Sequence, residues 1–388
     1  MRKKRIRFVA QVLACVVVLF VMGCDNKPEP PKFERKEGAA GSEKGEEPRS
    51  TRLRPTSRTE ANDTSPKNVW VNKAYRDGRL GRITFLTVNP HDSSVVYAGA
   101  RFGGLIRILN RADDWSSAGN VPIAAQYTVA VSPMDRSMGM GASEVTSFAI
   151  HPTSSSTFLV GMAGIFKSVD SGNSWKQVFN RPPIDTIVID PKNPDTVFAA
   201  GGAAGYYRSE NCGETWTSVG TGLRSVYCLL IDPKNTSTMY VGAYGSVYKS
   251  TDAGNSWAKL LDAAAPSLSI DPTKSEVIIA ATRKLGKDRG GVLKSEDGGK
   301  TWKNTTPDAE HSDFWACAID PKNPSRMYAG ESSGGGVLRT TDGGNTWTPI
   351  NDGLKDLQVY SIAVDPKNPR IIWAGTGSEG VFRMVQSE

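Results

Sequence analysis

Histidine and cysteine are scarce in this chain, with three and five among 388 residues. His91, His151 and His311 stand at no metal-ligand spacing from one another, so no metal site is expected. The same shortage leaves no Ser/His/Asp triad to assemble. No phosphate-binding glycine loop is present either, because the glycines recur at turns, and no cofactor is expected. Cys212, Cys228 and Cys317 are an odd number beyond the N-terminal region, and the latter two fall in apolar strands, which favours buried thiols over a bridge. The basic excess shrinks once located: Arg2, Lys3, Lys4, Arg5 and Arg7 supply five of the formal +7, leaving +2 for the rest. A pI of about 9.0 therefore gives no reason to expect a nucleic-acid partner.

Long apolar runs are missing too. Phe8 to Val21, interrupted by Gln11, is shorter than the roughly 20 residues a spanning helix needs. Behind its cationic start this run reads as an export signal. It ends in Val21-Met22-Gly23-Cys24, which resembles the bacterial lipobox and implies cleavage before Cys24 and a lipid on its sulfur; an ordinary cleaved signal or an uncleaved anchor is the alternative. Residues 25–66 are rich in Pro, Glu, Lys, Arg, Ser and Gly and too poor in apolar side chains to offset their ordering entropy. The expected organisation is a signal peptide over 1–24, a disordered tether over 25–66 and one folded body over 67–388. The protein would sit in a bacterial cell envelope, anchored to a membrane through Cys24 and facing the periplasm or the exterior.

What the body does have is repetition. SVDSGNSW, ending at Trp175, returns as SENCGETW (Trp216), STDAGNSW (Trp257), SEDGGKTW (Trp302) and TTDGGNTW (Trp347), so the tryptophans step by 41, 41, 45 and 45 residues. That period fits a four-stranded propeller blade. Seven apolar lines ending in a proline turn, from FLTVNP at Pro90 to IAVDP at Pro366, set the blade count at seven. A second line runs into glycine, as in TMYVGA, and a third precedes each box, as in GSVYKS ending at Ser250. The first blade keeps Trp115 without a box. The last ends at GVFRM, so NVWVNKAY (Asn68 to Tyr75), with Trp70, is expected to supply its fourth strand and close the ring. The fold class is therefore all-β, a single seven-bladed propeller of four-stranded antiparallel blades. Between Trp115 and Thr146 the spacing breaks, which predicts an inserted loop or hairpin around Met138 and Met140, with an eighth, truncated blade as the alternative.

Within the box, Asp170, Asp252, Asp297 and Asp342 are expected to cap a tight turn, glycine supplies positive φ, and the tryptophan packs between sheets. Asn211 in one copy suits a turn cap and not an acid catalyst. The motif resembles the Asp-box, or BNR repeat, of sialidases and related propellers. Family sialidases carry a Phe/Tyr-Arg-Ile-Pro motif, whereas the nearest string here is Gly81-Arg82-Ile83-Thr84.

In an antiparallel meander the proline turns and the boxes share one end, so variation gathers at the other. Candidate binding residues there are Arg82, Arg101, Phe102, Tyr206, Tyr244, Arg283, Arg289, Trp315 and Glu331, with His311 and the turn residues Lys284, Lys287 and Asp288 nearby. Arginine and aromatic side chains over one mouth suit a protein or glycan partner. A resemblance to exported single propellers, the photosystem II stability and assembly factor family among them, implies a non-catalytic protein-binding or assembly scaffold acting through this face. The alternative is a sialidase-like glycoside hydrolase or a glycan-binding lectin, with Asp288, Asp313, Glu331 and Glu379 as candidate carboxylates.

Overall fold

The computed structural model describes residues 66–74, 80–102, 104–109, 144–181, 183–202, 205–219, 222–283, 290–306 and 313–387. Cys24, the tether, Trp115, most of the insertion, Lys284, Lys287, Asp288, Arg289 and His311 lie outside the described residues.

The described chain forms seven antiparallel sheets and no helix. Six sheets have four strands; blade 1 shows three, Ile83–Val88, Val95–Ala100 and Gly104–Leu109. Blade 7 is completed from the N-terminus, as expected, by Val71–Ala74 running antiparallel to Val381–Val385. Trp70 anchors that closure: its ring is buried and its indole N–H donates to the Ile350 carbonyl of blade 6.

The apolar core is divided among the seams between blades. Ile83 and Ile106 of blade 1 pack with Trp373 and Val381 of blade 7, Phe198 of blade 3 with Val226 and Val241 of blade 4, and Tyr328 of blade 6 with Trp70 and Phe382 of blade 7. The box tryptophans join these seams: Trp175 packs between blades 1 and 2, Trp257 between 3 and 4, and Trp347 between 5 and 6.

Each inner strand ends in a turn that needs an acceptor rather than a charge. The Asp190 carboxylate accepts the N–H groups of Lys192 at 2.8 Å and Asn193 at 3.1 Å, and Asp232, Asp271, Asp320 and Asp365 cap their turns likewise. Asn89 does this in blade 1 and the His151 Nδ1 in blade 2. In four blades the residue after the proline is a lysine that reaches sideways. Lys192 donates to the Lys234 carbonyl, Lys234 to that of Thr273, Lys322 to that of Lys367, and Lys367 to that of His91. Thr153 and Thr273, too short to reach, stand where a lysine would make the blade 2 to 3 and blade 5 to 6 links.

The boxes are hydrogen-bonded units. Ser168 Oγ donates to Asp170 Oδ1 and accepts the Gly172 N–H, both at 2.8 Å. Asp170 then accepts the N–H of Ser174 at 2.8 Å and its hydroxyl at 2.6 Å, and Trp175 donates back to the Gly172 carbonyl at 2.9 Å. Asn211 keeps the turn with one polarity reversed: Oδ1 accepts from the Thr215 N–H, while Nδ2 donates to the Thr215 hydroxyl. Backbone bonds such as Cys212 N–H to Asp195 O and Ala253 N–H to Ser237 O tie each box to the proline turn of its blade, which puts both at one end of the ring.

Candidate functional site

At the other end, every blade enters its inner strand through one fully buried apolar residue: Ile83, Val145, Ile184, Val226, Ala265, Phe314 and Val359, each 0% exposed. The residue that follows it faces the ring axis. These seven positions are Thr84, Thr146, Asp185, Tyr227, Pro266, Trp315 and Tyr360, and together with Arg82 and Glu144 they line an axial cavity of about 240 Å³.

Backbone irregularity aims them. In blades 1, 4, 6 and 7 the inner strand carries one extra residue against its partner, and that residue is Thr84, Tyr227, Trp315 and Tyr360 in turn. A β-bulge bends the strand and redirects a side chain that regular alternation would send to the sheet face. In blade 5 the irregularity falls between Ala264 and Ser267 and so encloses Pro266. The neighbouring sheet must come close for this to work. At Gly242 a Cβ would stand 2.1 Å from the Ala265 carbonyl oxygen, so the glycine that closes the second line of the repeat is a spacing requirement.

The cavity walls fall into a charged side and an aromatic side. Glu144 accepts from Arg82 at 2.8 Å and lies 3.9 Å from Arg101. Asp185 accepts the Gly202 N–H at 2.7 Å. Burial pushes the Asp185 carboxyl up; the Gly202 N–H works against that, and the like charge of Glu144 adds to the rise. Opposite stand Trp315, Tyr360 and Tyr227, with ring centroids 5.7 Å apart for Trp315 and Tyr360 and 6.1 Å for Tyr227 and Trp315. The Arg82 guanidinium covers both Trp315, at 5.5 Å, and Tyr360, at 5.2 Å, and Arg283 covers Trp315 at 4.8 Å. Burial also raises the Tyr227 hydroxyl, against the lowering by the charge and hydrogen bond of Arg283. Among the described residues no group of three His, Cys, Asp or Glu comes together to hold a metal ion.

Of the residues singled out from sequence, Arg82 and Trp315 line this cavity and Arg101 and Arg283 adjoin it. Phe102 and Tyr244 stand on turns between second and third strands, 62% and 60% exposed. Tyr206 does not belong to the mouth. It is 2% exposed, its ring stacks on Phe198 and meets Trp257 edge-on, and it fills the seam between blades 3 and 4. Its position after Gly205 is that of Val247, Val292 and Val337 in other blades, all fully buried. Glu331 is buried under the turn at Gly335 and outside the cavity lining, which Asp313 and Glu379 do not reach either. The carboxylates in the cavity are instead Glu144 and Asp185. Sequence reading passed over them, although aligning the seven inner strands on their buried entry residue picks out Asp185 directly.

No family model matches the chain. A curated relative, the oligoxyloglucan-reducing end-specific xyloglucanase of Emericella nidulans, is 22% identical over 305 residues, covering 64% of this chain and 37% of that protein. The fold is shared with the GH74 xyloglucanase of Xanthomonas campestris (TM-score 0.65, 17% identity, 81% of this chain and 53% of that one). It is shared also with YCF48 bound to D1 peptide (0.59, 13%, 84% and 99%) and with the extracellular domain of a putative hybrid two component system of B. thetaiotaomicron (0.60, 15%, 81% and 39%). This chain thus spans about half the length of the xyloglucanase structure and less of the curated relative. The chain is a seven-bladed β-propeller with structural neighbours among xyloglucanases and YCF48-type propellers. These findings overturn the expected non-catalytic scaffold. The curated relative is a glycoside hydrolase, so the hydrolase alternative is the better supported of the two.

Proposed function

We propose that this protein is a glycoside hydrolase of the cell envelope or exterior, acting on a plant-type β-glucan such as xyloglucan at its axial mouth. The observation that carries the reading is the pair of carboxylates, Glu144 and Asp185, meeting in one cavity walled by Trp315, Tyr227 and Tyr360. Asp185, held protonated toward higher pH by burial and by Glu144, is the proton donor to the glycosidic oxygen. Glu144, paired with Arg82 at 2.8 Å, is the base or nucleophile. The aromatic wall supports the reading, since the C–H face of a sugar packs on a π face while its hydroxyls meet the charged side. The exported neighbours support a location outside the cytoplasm, and the sequence at Cys24 adds a lipid anchor, with residues 25–66 as the spacer.

Reducing-end release from xyloglucan and mixed β-glucans by the full-length protein tests the activity. Loss of release in both Asp185→Asn and Glu144→Gln, with binding retained, is the expected result. Release unaffected by both changes would remove the pair from the chemistry. A second reading, glycan binding without turnover, is favoured by the 2.8 Å ion pair that occupies Glu144, and binding with no release by the unaltered protein would select it. Metabolic labelling with a fatty acid, lost on Cys24→Ala, checks the anchor.

A further inference from the structure

The third strand of blade 7 lacks the start of a box, and the seam beside it is built differently from the others. By sheet register Met384 stands where blade 4 has Ser250, and Gln386 where it has Asp252. Methionine carries no hydroxyl, so the hydrogen bonds of the box turn cannot form there. In other seams the cationic residue of a third strand reaches sideways to the box of the next blade. Lys167 pairs with Glu214 at 2.8 Å, Lys249 donates to the Gly298 carbonyl at 3.0 Å, and Lys294 donates to that of Gly343 at 2.9 Å. Arg339 holds this position in blade 6, and the blade beside it has no box to receive it.

A pocket of about 490 Å³ lies in that seam at the box end, lined by Arg326 and Arg339 of blade 6 and by Met384, Gln386 and Ser387 of blade 7. Its polar lining is one-sided. Gln386 is 1% exposed, and both its acceptors are taken, Oε1 by the Tyr328 hydroxyl at 3.0 Å and the main-chain carbonyl by Arg370 Nε at 3.1 Å. Its Nε2, like the Nε of Arg339, is buried and has no acceptor in the protein. Arg326 stands 3.5 Å from Asp320, too far for a charge-assisted hydrogen bond, and that carboxylate already caps its own turn. Among the described residues no Asp or Glu lines the pocket. Buried donors without a partner are costly, so the pocket is built for an acceptor.

We infer that this pocket binds a phosphate group, free or carried on a small organic molecule, between Arg326, Arg339 and Gln386. Two guanidiniums with no acid in the lining call for a dianion, and their planar forks match phosphate oxygens. The volume leaves room beyond the phosphate, and Ile350 and Met384 give an organic remainder an apolar wall. Because its donors come from two blades, the bound anion stands in for the missing box and ties the seam at which the ring closes. Asn68, just ahead of the closing strand, borders the same pocket and holds Ser387 through both of its side-chain polar atoms. The site lies at the opposite end of the ring from the axial cavity and is independent of the carbohydrate reading.

Titration calorimetry of the full-length protein with inorganic phosphate and with glycerol 1-phosphate tests this, beside melting curves in phosphate and in chloride at equal ionic strength. Saturable binding and a higher melting point in phosphate are expected. Arg339→Gln should weaken binding by roughly 10-fold or more. Gln386→Glu, which sets a carboxylate against the ligand, should abolish both the binding and the melting shift. Arg208→Gln removes a third-strand arginine that pairs with Glu210 of its own blade, and it should leave phosphate binding intact. Tighter binding of the ester assigns the site to a phosphorylated molecule, and tighter binding of the ion assigns it to free phosphate. No saturable binding of either titrant, or binding equally strong in Arg339→Gln and Gln386→Glu, overturns the inference.

Discussion

The two ends of the ring are built on the same seven sheets and put them to opposite use. At the box end one hydrogen-bonded turn is written five times, and the proline turns beside it are capped alike whether the acceptor is Asp, Asn or His. At the mouth the seven equivalent inner-strand positions hold threonine twice, an aspartate, a proline, a tryptophan and two tyrosines. Uniform chemistry at one end makes seven blades alike enough to close a ring. Variation at the other leaves a single asymmetric site, because residues on the axis can differ without disturbing the seams. Substitutions at the box end should therefore change stability and spare activity, and those at the mouth should do the reverse.

The largest effect is expected where the ring is closed. Trp70 joins the blade 6 to 7 seam and donates to Ile350, so Trp70→Ala should cost about 3–5 kcal/mol in chemical denaturation. Deleting residues 66–74 should leave no cooperative transition. A deletion mutant with the parental transition would show that the N-terminal strand decorates the ring and does not close it.

Next comes the mouth. Asp185→Asn should lower turnover by roughly 10²- to 10⁴-fold. Its effect on stability has the opposite sign. A carboxyl whose folded pKa is raised favours the folded state below its ordinary 3.8 and loses that contribution as pH climbs through the raised value. At neutral pH the ionised Asp185 is thus a burden, and the asparagine variant should melt no lower than its parent. An inactive variant that also melts lower would blur the division between the ends.

The box end gives the mirror-image test. Ser250 is buried, accepts the Gly254 N–H at 2.9 Å and donates to Asp252 at 2.7 Å. Ser250→Ala should cost about 1–3 kcal/mol by stranding that N–H, with turnover unchanged. Acid probes the same turns. Hydroxyl and backbone donors hold the Asp170, Asp252, Asp297 and Asp342 carboxyls low, Asp252 at about 2. Their stabilisation is present above the ordinary 3.8 and is lost as pH falls through the depressed values, so acid melting curves should drop in that window. Asn211 does not titrate, and Asn211→Asp should steepen the drop.

The same contrast explains what could be read in the sequence. Period, blade count and the role of Trp70 were legible because a seam needs the same residue in every blade. The mouth was legible only in part. Arg82 and Trp315 stood out as residue types, but Glu144 and Asp185 are ordinary carboxylates whose significance comes from the axis that joins blades 2 and 3 to the rest. Tyr206 was misplaced for the converse reason. An aromatic next to a turn resembles a binding residue, whereas strand alternation, shared with Val247 and Val292, sends it inward.

The smallest effect is expected from backbone strain at the box end. Two successive residues in each box have positive φ. Blades 5 and 6 place glycine at both, Gly298 and Gly299 or Gly343 and Gly344, while Ser171, Cys212 and Ala253 occupy the first position in blades 2, 3 and 4. A side chain at φ of +55° crowds the backbone and costs Ala253 about 1 kcal/mol relative to glycine. Glycine also loses more freedom on folding, so Ala253→Gly should stabilise the protein by no more than about 1 kcal/mol. Thermal denaturation of that variant, with unchanged turnover, is the check. A loss of stability would mean that the box turns do not tolerate interchange among blades, and that the uniformity of this end runs less deep than its hydrogen bonds imply.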